Sequence, residues 1–280
     1  MARWILLNMR VRMSKRTLTA LFLIFFGIPI LMYGNLPYII FIGFLLAAAA
    51  WEYTNIFRAA GSRPATWLVV LGVIVINIGR YFHLSIDFPV LTIGVLLLMI
   101  YHLVDFERGA EHAGMDFSVS LGALVYIGFV GGYLISLRQL ENGGWWVMFA
   151  LPCVFMTDIG AFLIGSVYGR HHMTPRLSPR KSWEGFAAGV VSAMLMGGIL
   201  AYAYSTWGPL HISIVTGAAF GLFVGVLTPL GDLGESMLKR QAGLKDSGIL
   251  FPGHGGAFDR IDSWIWGAVL GFYFVTWFAR

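Results

Sequence analysis

Charge is scarce in this sequence: of 280 residues, Asp, Glu, Lys and Arg together make up only 12%. Soluble domains carry about 25%, so most of this surface is not built to face water. Lipid, in which charged side chains are costly, is the natural replacement. Cysteine is almost missing as well. The single Cys153 excludes an internal disulfide and a C-x-x-C metal or redox pattern, and it reads as a small packing residue. No G-x-x-x-x-G-K-[ST] run occurs, which argues against a P-loop mechanism. No convincing internal repeat is present, and a transporter with a midplane site would be expected to have one. The formal net charge of +5 would suit nucleic acid, but the basic residues fall between apolar runs rather than along one stripe. Membrane topology accounts for them, and no nucleic-acid partner is expected.

Apolar residues are what the chain has in quantity: 58% are hydrophobic and the mean hydropathy is +0.76. Its 35 glycines suit helices packed closely in a bilayer. A spanning helix needs about 20 mostly apolar residues. That ruler predicts an all-α integral membrane protein with about nine spans, near 17–34, 37–57, 65–83, 87–104, 117–137, 145–168, 186–206, 210–230 and 263–279. The first is expected to be a span rather than a cleaved signal, because no small-x-small site follows Gly34. The stretch from Trp4 to Met13, mixing apolar residues with Arg, is expected to lie in the interface. Alternating the loops between two sides puts 16 Lys and Arg residues on the side of the N-terminus and 3 on the other (Arg80, Arg138 and Arg280). The positive-inside bias then predicts a cytoplasmic N-terminus and an outside C-terminus.

Two inward loops hold most of the polar chemistry. GRHHMTPRLSPRKSWEG precedes the span at 186–206, and GDLGESMLKRQAGLKDSGILFPGHGGAFDRID precedes the last span. The second is longer than a connector requires. In it Asp232, Glu235, Asp246, Asp259 and Asp262 alternate with Lys239, Arg240, Lys245, His254 and Arg260. Carboxylates hold a divalent cation while Lys and Arg neutralise phosphate oxygens, so this mixture suits Mg2+ and a polyphosphate. Gly253, Gly255 and Gly256 would let backbone N–H groups approach an anion closely. A solvated positive-inside loop explains the Lys and Arg residues singly, but it explains the acids next to the spans less well. If the last helix starts a turn early, Asp259 and Asp262 share one of its faces. Glu52 and Asp158 are acids inside spans and therefore functional candidates, although Glu52 could instead snorkel and pair with Arg58. His171 and His172 have no partner at ligand spacing and read as basic loop residues. Gly217, Gly221 and Gly225, four apart, mark a close helix contact within the chain or across a dimer.

The second loop also carries a resemblance. Ser236-Met-Leu-Lys239-Arg240, Lys245-Asp246-Ser-Gly, Pro252-Gly-His254-Gly-Gly and Asp259-Arg260-Ile-Asp262 resemble the signature of phosphatidate cytidylyltransferases, the CDP-diacylglycerol synthases. Asp158-Ile-Gly-Ala-Phe, the Tyr168-Gly-Arg turn and Ser178-Pro-Arg-Lys181-Ser182-Trp-Glu184-Gly are similar to the upstream block of that family. Ile159 departs from the usual Ser or Thr, while Ser182 keeps the hydroxyl of the usual Thr. The motif region covers about residues 157–262; the first half is similar mainly in hydropathy and in Trp51-Glu52.

The resemblance implies transfer of the cytidylyl group of CTP to phosphatidic acid, giving CDP-diacylglycerol and pyrophosphate. It also implies Mg2+, alone or with a second cation, held by Asp232 and Asp259. Lys239, Arg240, Lys245, Asp246, His254, Arg260 and Asp262 would form the catalytic group, with Asp158, Ser178, Lys181, Ser182, Gly255 and Gly256 on substrate or phosphate. The expected organisation is a membrane and dimer scaffold over 1–156 and a catalytic region over 157–280. A homodimer in the bacterial inner membrane is expected, its site facing the cytoplasm. A CTP-dependent enzyme with another lipid acceptor, including a lipid kinase, is the alternative nearest in chemistry. The paired-Asp pattern of the CDP-alcohol phosphotransferases is absent.

Overall fold

The computed structural model describes residues 36–251 and 255–279, together with Gly27, Pro29, Ile30 and Gly34. The interfacial stretch Trp4–Met13, most of the span expected at 17–34, and His254 with its neighbours Pro252 and Gly253 lie outside the described residues.

The chain is helical almost throughout. The helices are α1 (Leu36–Ala59), α2 (Thr66–Tyr81), α3 (Asp87–Glu107), α4 (Ala113–Arg138), α5 (Gly143–Tyr168), α6 (Trp183–Trp207), α7 (Ile214–Leu227), α8 (Pro229–Gln241) and α9 (Phe258–Phe278). Among the described residues seven spans are long and apolar enough to cross a membrane, counting α7 and α8 as the single rod Ile214–Gln241. The shorter α2 is apolar too. Large apolar side chains such as Phe88, Phe162 and Val215 point outward at 72%, 72% and 79% exposure. Facing water these would form patches larger than soluble proteins carry, and facing lipid they cost nothing.

Sequence expectation and structure diverge most between residues 169 and 262. The first motif loop folds into an antiparallel hairpin, β1 (His172–Thr174) and β2 (Ser178–Ser182), with His172 opposite Ser182 and Thr174 opposite Ser178. The start of the second, expected as loop, is helical. Thr228 keeps helical angles, Pro229 occupies the first turn where its missing N–H costs no bond, and α8 continues to Gln241. The last helix begins at Phe258, five residues before the expected start at 263. Helix α4 contains a π-helical stretch, Leu124–Val130, that the hydropathy pattern does not reveal.

Helix α9 runs through the centre and packs against α1, α4, α5, α7 and α8. Its Phe274 lies 4.7 Å from Phe220 of α7 and 6.2 Å from Phe149 of α5, ring centre to ring centre. Against α6, the glycines of α7 act within the chain: a side chain at Gly217 would meet Ala201 and the backbone of Gly197, at Gly221 the backbone of Ala193, and at Gly225 the backbone of Val190. Bonds across the bundle then sort its ends. Glu52 near the end of α1 reaches Ala257 and Phe258, and Arg240 reaches Leu177 O, so the 60–65 connection and both motif segments share one end. At the opposite end Arg80 pairs with Asp87, and Gln139 donates to Tyr81 O.

Candidate active site

The chemistry assembles where α8 and α9 meet. Three turns of α8 present Asp232, Glu235 and Lys239 at i, i+3 and i+7, which places all three on one face. Helix α9 answers with Asp259 in its first turn and Asp262 one turn later. Close contact between the helices depends on Gly231, where a side chain would strike Asp262 O and the Trp266 ring. Trp266 is fixed from its other side by a 3.0 Å bond from Nε1 to the Tyr126 hydroxyl of the π-helical stretch. The irregular turn of α4 thus helps to set α9 in place.

Five acids divide into two groups. One carboxylate oxygen each from Asp232, Glu235 and Asp262 lies within 4.8 Å of the others. Glu235 is 2% exposed, and its Oε1 has no hydrogen-bond partner among the described residues. A buried, unpartnered carboxylate oxygen beside two further carboxylates is unfavourable unless positive charge joins them. Opposite oxygen ligands lie about 4.0–4.2 Å apart around Mg2+ and about 4.6–5.2 Å apart around Ca2+, so a trio within 4.8 Å is spaced for a hard divalent cation. Nearby cations supply part of the compensation. Lys181 Nζ from β2 lies 2.7 Å from Asp232 Oδ2, and Lys239 Nζ lies 2.9 Å from Glu235 Oε2.

The second group is Asp259 and Glu52. Asp259, expected as the partner of Asp232, turns to Lys239 instead, with Nζ 2.5 Å from Oδ1. Its Oδ2 accepts from Ser247 N at 2.9 Å and Gly256 N at 2.8 Å. Glu52 accepts from Ala257 N at 3.0 Å and Phe258 N at 2.9 Å, capping α9 from a different helix. Ser247 Oγ stands 2.9 Å from Glu52 Oε2 and from Asp259 Oδ2, so its one proton serves one carboxylate at a time. Two acids therefore hold Ser247 and the backbone of Gly256, Ala257 and Phe258 together at the start of α9, aided by the positive end of the helix dipole. Gly256 makes this approach possible, since a Cβ there would collide with Glu52 Oε2 and Ser247 Oγ. Gly255 adopts φ +82° and leaves no room for a side chain beside Asp259.

A cavity of about 610 Å3 adjoins the acidic trio. Asp158, Lys181, Ser182 and Asp232 supply polar lining, whereas Phe162, Met173 and Phe186 make apolar walls. Phe162 is largely exposed on the outer face of α5, so an apolar wall continues towards the lipid-facing surface. Ser182 Oγ also accepts from Gly185 N and caps α6. Ser178 opens β2 opposite Thr174. Arg240 holds the hairpin through Leu177 O at 3.4 Å and its own segment through Leu244 O at 3.1 Å. The Nε of Arg260, on α9, is buried and without a partner among the described residues. Lys245 and Asp246 stand exposed on the segment after α8. His171, read as a loop base, pairs with Glu184 at 2.5 Å.

Three participants carried little or no weight in the sequence: Glu235 as a member of the trio, Ser247 as the link, and Glu52 as the cap. The spacing Asp232-x-x-Glu235-x-x-x-Lys239 signals one helical face once the stretch is read as helix. No local signal joins Glu52 to Phe258, 206 residues away.

Residues 14–278 match the sequence model of the Cytidylyltransferase family. The chain is similar to the phosphatidate cytidylyltransferase of Synechocystis sp., 33% identical with 94% of this chain and 96% of that protein covered. It is 30% identical to the phosphatidate cytidylyltransferase of Staphylococcus aureus, over 90% of this chain and 95% of that protein. It is also 35% identical to the phosphatidate cytidylyltransferase of Mycobacterium bovis, over 58% of this chain and 51% of that protein.

Proposed function

This chain belongs to the cytidylyltransferase family, and from that premise we propose that it condenses CTP with phosphatidic acid to give CDP-diacylglycerol and pyrophosphate. One observation carries the reading: an acidic trio, two of its members buried and one carboxylate oxygen unpartnered among the described residues, meets through Asp232 a cavity lined by both polar and apolar side chains. A phosphate oxygen of the lipid attacks the α-phosphorus of CTP. The bond from that phosphorus to the oxygen bridging to the β-phosphate breaks, and pyrophosphate leaves. Two polyanions must meet, so repulsion is the main barrier.

Asp232, Glu235 and Asp262 would hold Mg2+, which when bound draws charge off the nucleotide phosphates. Lys181 lies at the polar end of the cavity, where a lipid phosphate can replace Asp232 as its counter-charge. Lys239, held between Glu235 and Asp259, keeps a fixed positive charge beside the trio. Asp259 and Glu52 position Ser247 and the start of α9 and with it Arg260, whose Nε, unpartnered among the described residues, is a donor for phosphate. Arg240 and Lys245 add cations at the open side, and Asp158 lines the same cavity from α5. The acyl chains leave sideways along Phe162 and Phe186, so the substrate stays in the bilayer. We further propose nine spans, a cytoplasmic N-terminus, the bacterial inner membrane and a homodimer, on the 16-to-3 partition of Lys and Arg and on the family reading.

A micelle assay with labelled CTP, phosphatidic acid and Mg2+ tests the reading. Wild type should release pyrophosphate in step with CDP-diacylglycerol, and Asp232→Asn and Asp262→Asn should abolish both. Turnover of another acceptor in place of phosphatidic acid would redirect the proposal to a different lipid substrate.

A further inference from the structure

A second cavity, of about 500 Å3, lies at the same end of the bundle and shares no lining residue with the first. Arg58 at the end of α1, Arg63 in the α1–α2 connection and Arg108 at the end of α3 surround it. Asp105 is its only acidic lining residue. Among the described residues no carboxylate comes within salt-bridge distance of these three arginines. Three guanidiniums thus face one concavity that a single carboxylate, Asp105, also lines, and each presents the planar fork of donors that suits phosphate.

The concavity is built rather than incidental. Arg63 N donates to Asp116 Oδ1 at 2.8 Å, Ala65 N to Ser120 Oγ at 2.9 Å, and Thr66 Oγ1 to Thr54 Oγ1 at 2.9 Å. Asp116, Ser120 and Thr54 are all fully buried or nearly so, and they lock the connection from below. Arg58 Nη2 ties to Pro64 O at 3.4 Å. A rim held in this way loses little entropy when it takes a ligand.

Its surroundings indicate which phosphate. Helix α3 is the least covered span, 11% of its apolar window being buried, so the outer side of the cavity borders lipid. Phe106 at 60% exposure stands beside Arg108, and Trp67 at 58% lies edge-on to the lining residue Tyr101 at 6.3 Å. Tryptophan and tyrosine concentrate at the headgroup level of a bilayer. Basic pockets between spans at that depth suit lipid headgroups. We propose that Arg58, Arg63 and Arg108 form a binding site for the phosphate headgroup of an anionic phospholipid, separate from the catalytic cavity.

The test is native mass spectrometry of the full chain in detergent with added phosphatidylglycerol or phosphatidylcholine, neither of which is a phosphomonoester like the proposed substrate. Wild type should retain phosphatidylglycerol with an affinity roughly 30-fold above that of Arg63→Gln/Arg108→Gln, as expected for two lost cationic contacts at an anionic surface. Phosphatidylcholine retention should not differ between the two proteins. Arg108→Gln alone, exposed and without a bond into the locked connection, should give an intermediate loss if the double variant fails to fold. Equal phosphatidylglycerol retention by wild type and the folded variants would overturn the proposal and leave the arginines as topology determinants. Displacement of the lipid by millimolar inorganic phosphate would also overturn it, assigning the cavity to a soluble anion.

Discussion

Glu52 is 7% exposed in an apolar helix, yet it accepts two backbone hydrogen bonds from the start of another helix. Glu52→Gln keeps the shape and removes the charge that faces the dipole of α9, and one carboxylate oxygen becomes an amide donor aimed at an N–H. The expected cost is about 1–2 kcal/mol, the range for a lost helix cap, read as a fall in thermal midpoint of about 2–8 °C. Amide exchange across 245–258 should speed up in the variant, and unchanged exchange there would remove the clamp role. Glu235 gives a complementary case. Its Oε1 lacks a partner among the described residues whereas its Oε2 already has Lys239, so Glu235→Gln should fold and should weaken Mg2+ activation. The expected increase in the Mg2+ concentration needed for half activity is at least about 10- to 100-fold, the loss typical for the outer-shell partners of metal sites. Asp232 and Asp262 were legible as acids adjoining spans. Glu235 was visible as one more acid of the loop, but its place on one face with Asp232 was not, because Gly231, Gly234 and the surrounding charge read as loop, although packing on α9 makes the stretch helical.

At the scale of elements, α6 and α7 are held by close backbone approach rather than by interlocking side chains. Gly221→Leu would drive atoms into the Ala193 backbone, which cannot retreat without separating the helices. Overpacking of this kind costs about 1–3 kcal/mol or more. Less monodisperse protein in detergent is expected than from Gly234→Leu, where nothing lies within 4 Å of an added Cβ. Equal yields from the two variants would contradict the packing role. Hydropathy located the seven described spans and the shorter apolar α2, because apolar length alone specifies a spanning helix, but it ended the span at 210–230 eleven residues short of Gln241. It misplaced the start of α9, whose first turn is polar and depends on Glu52, and it gave no sign of the π-helical stretch in α4. Those features arise from contacts between elements distant in sequence, which periodicity does not record.

For the whole molecule, the partition of Lys and Arg predicts that the motif segments face the cytoplasm. In a Cys153→Ala background, where no other thiol remains, Glu111→Cys should resist a membrane-impermeant maleimide in intact cells and react after lysis. His211→Cys should react in intact cells once the label has passed the outer barrier. Both positions are exposed in the fold, so protection reports sidedness rather than burial. Labelling in the reverse pattern would invert the topology, and identical labelling would break the alternation of spans. The described bundle already joins the α1–α2 connection, the hairpin and the 242–257 segment at one end, so one inversion would move all of them together.

The central claim is that carboxylates from α8 and α9 converge to hold a divalent cation. Mn2+ binding followed by electron paramagnetic resonance, in purified wild type and in Asp262→Asn, addresses it without relying on turnover. Wild type should bind the ion tightly, and CTP should perturb its signal; the variant should bind at least about 10-fold more weakly while remaining folded. Undiminished Mn2+ affinity in a folded Asp262→Asn protein would contradict the account.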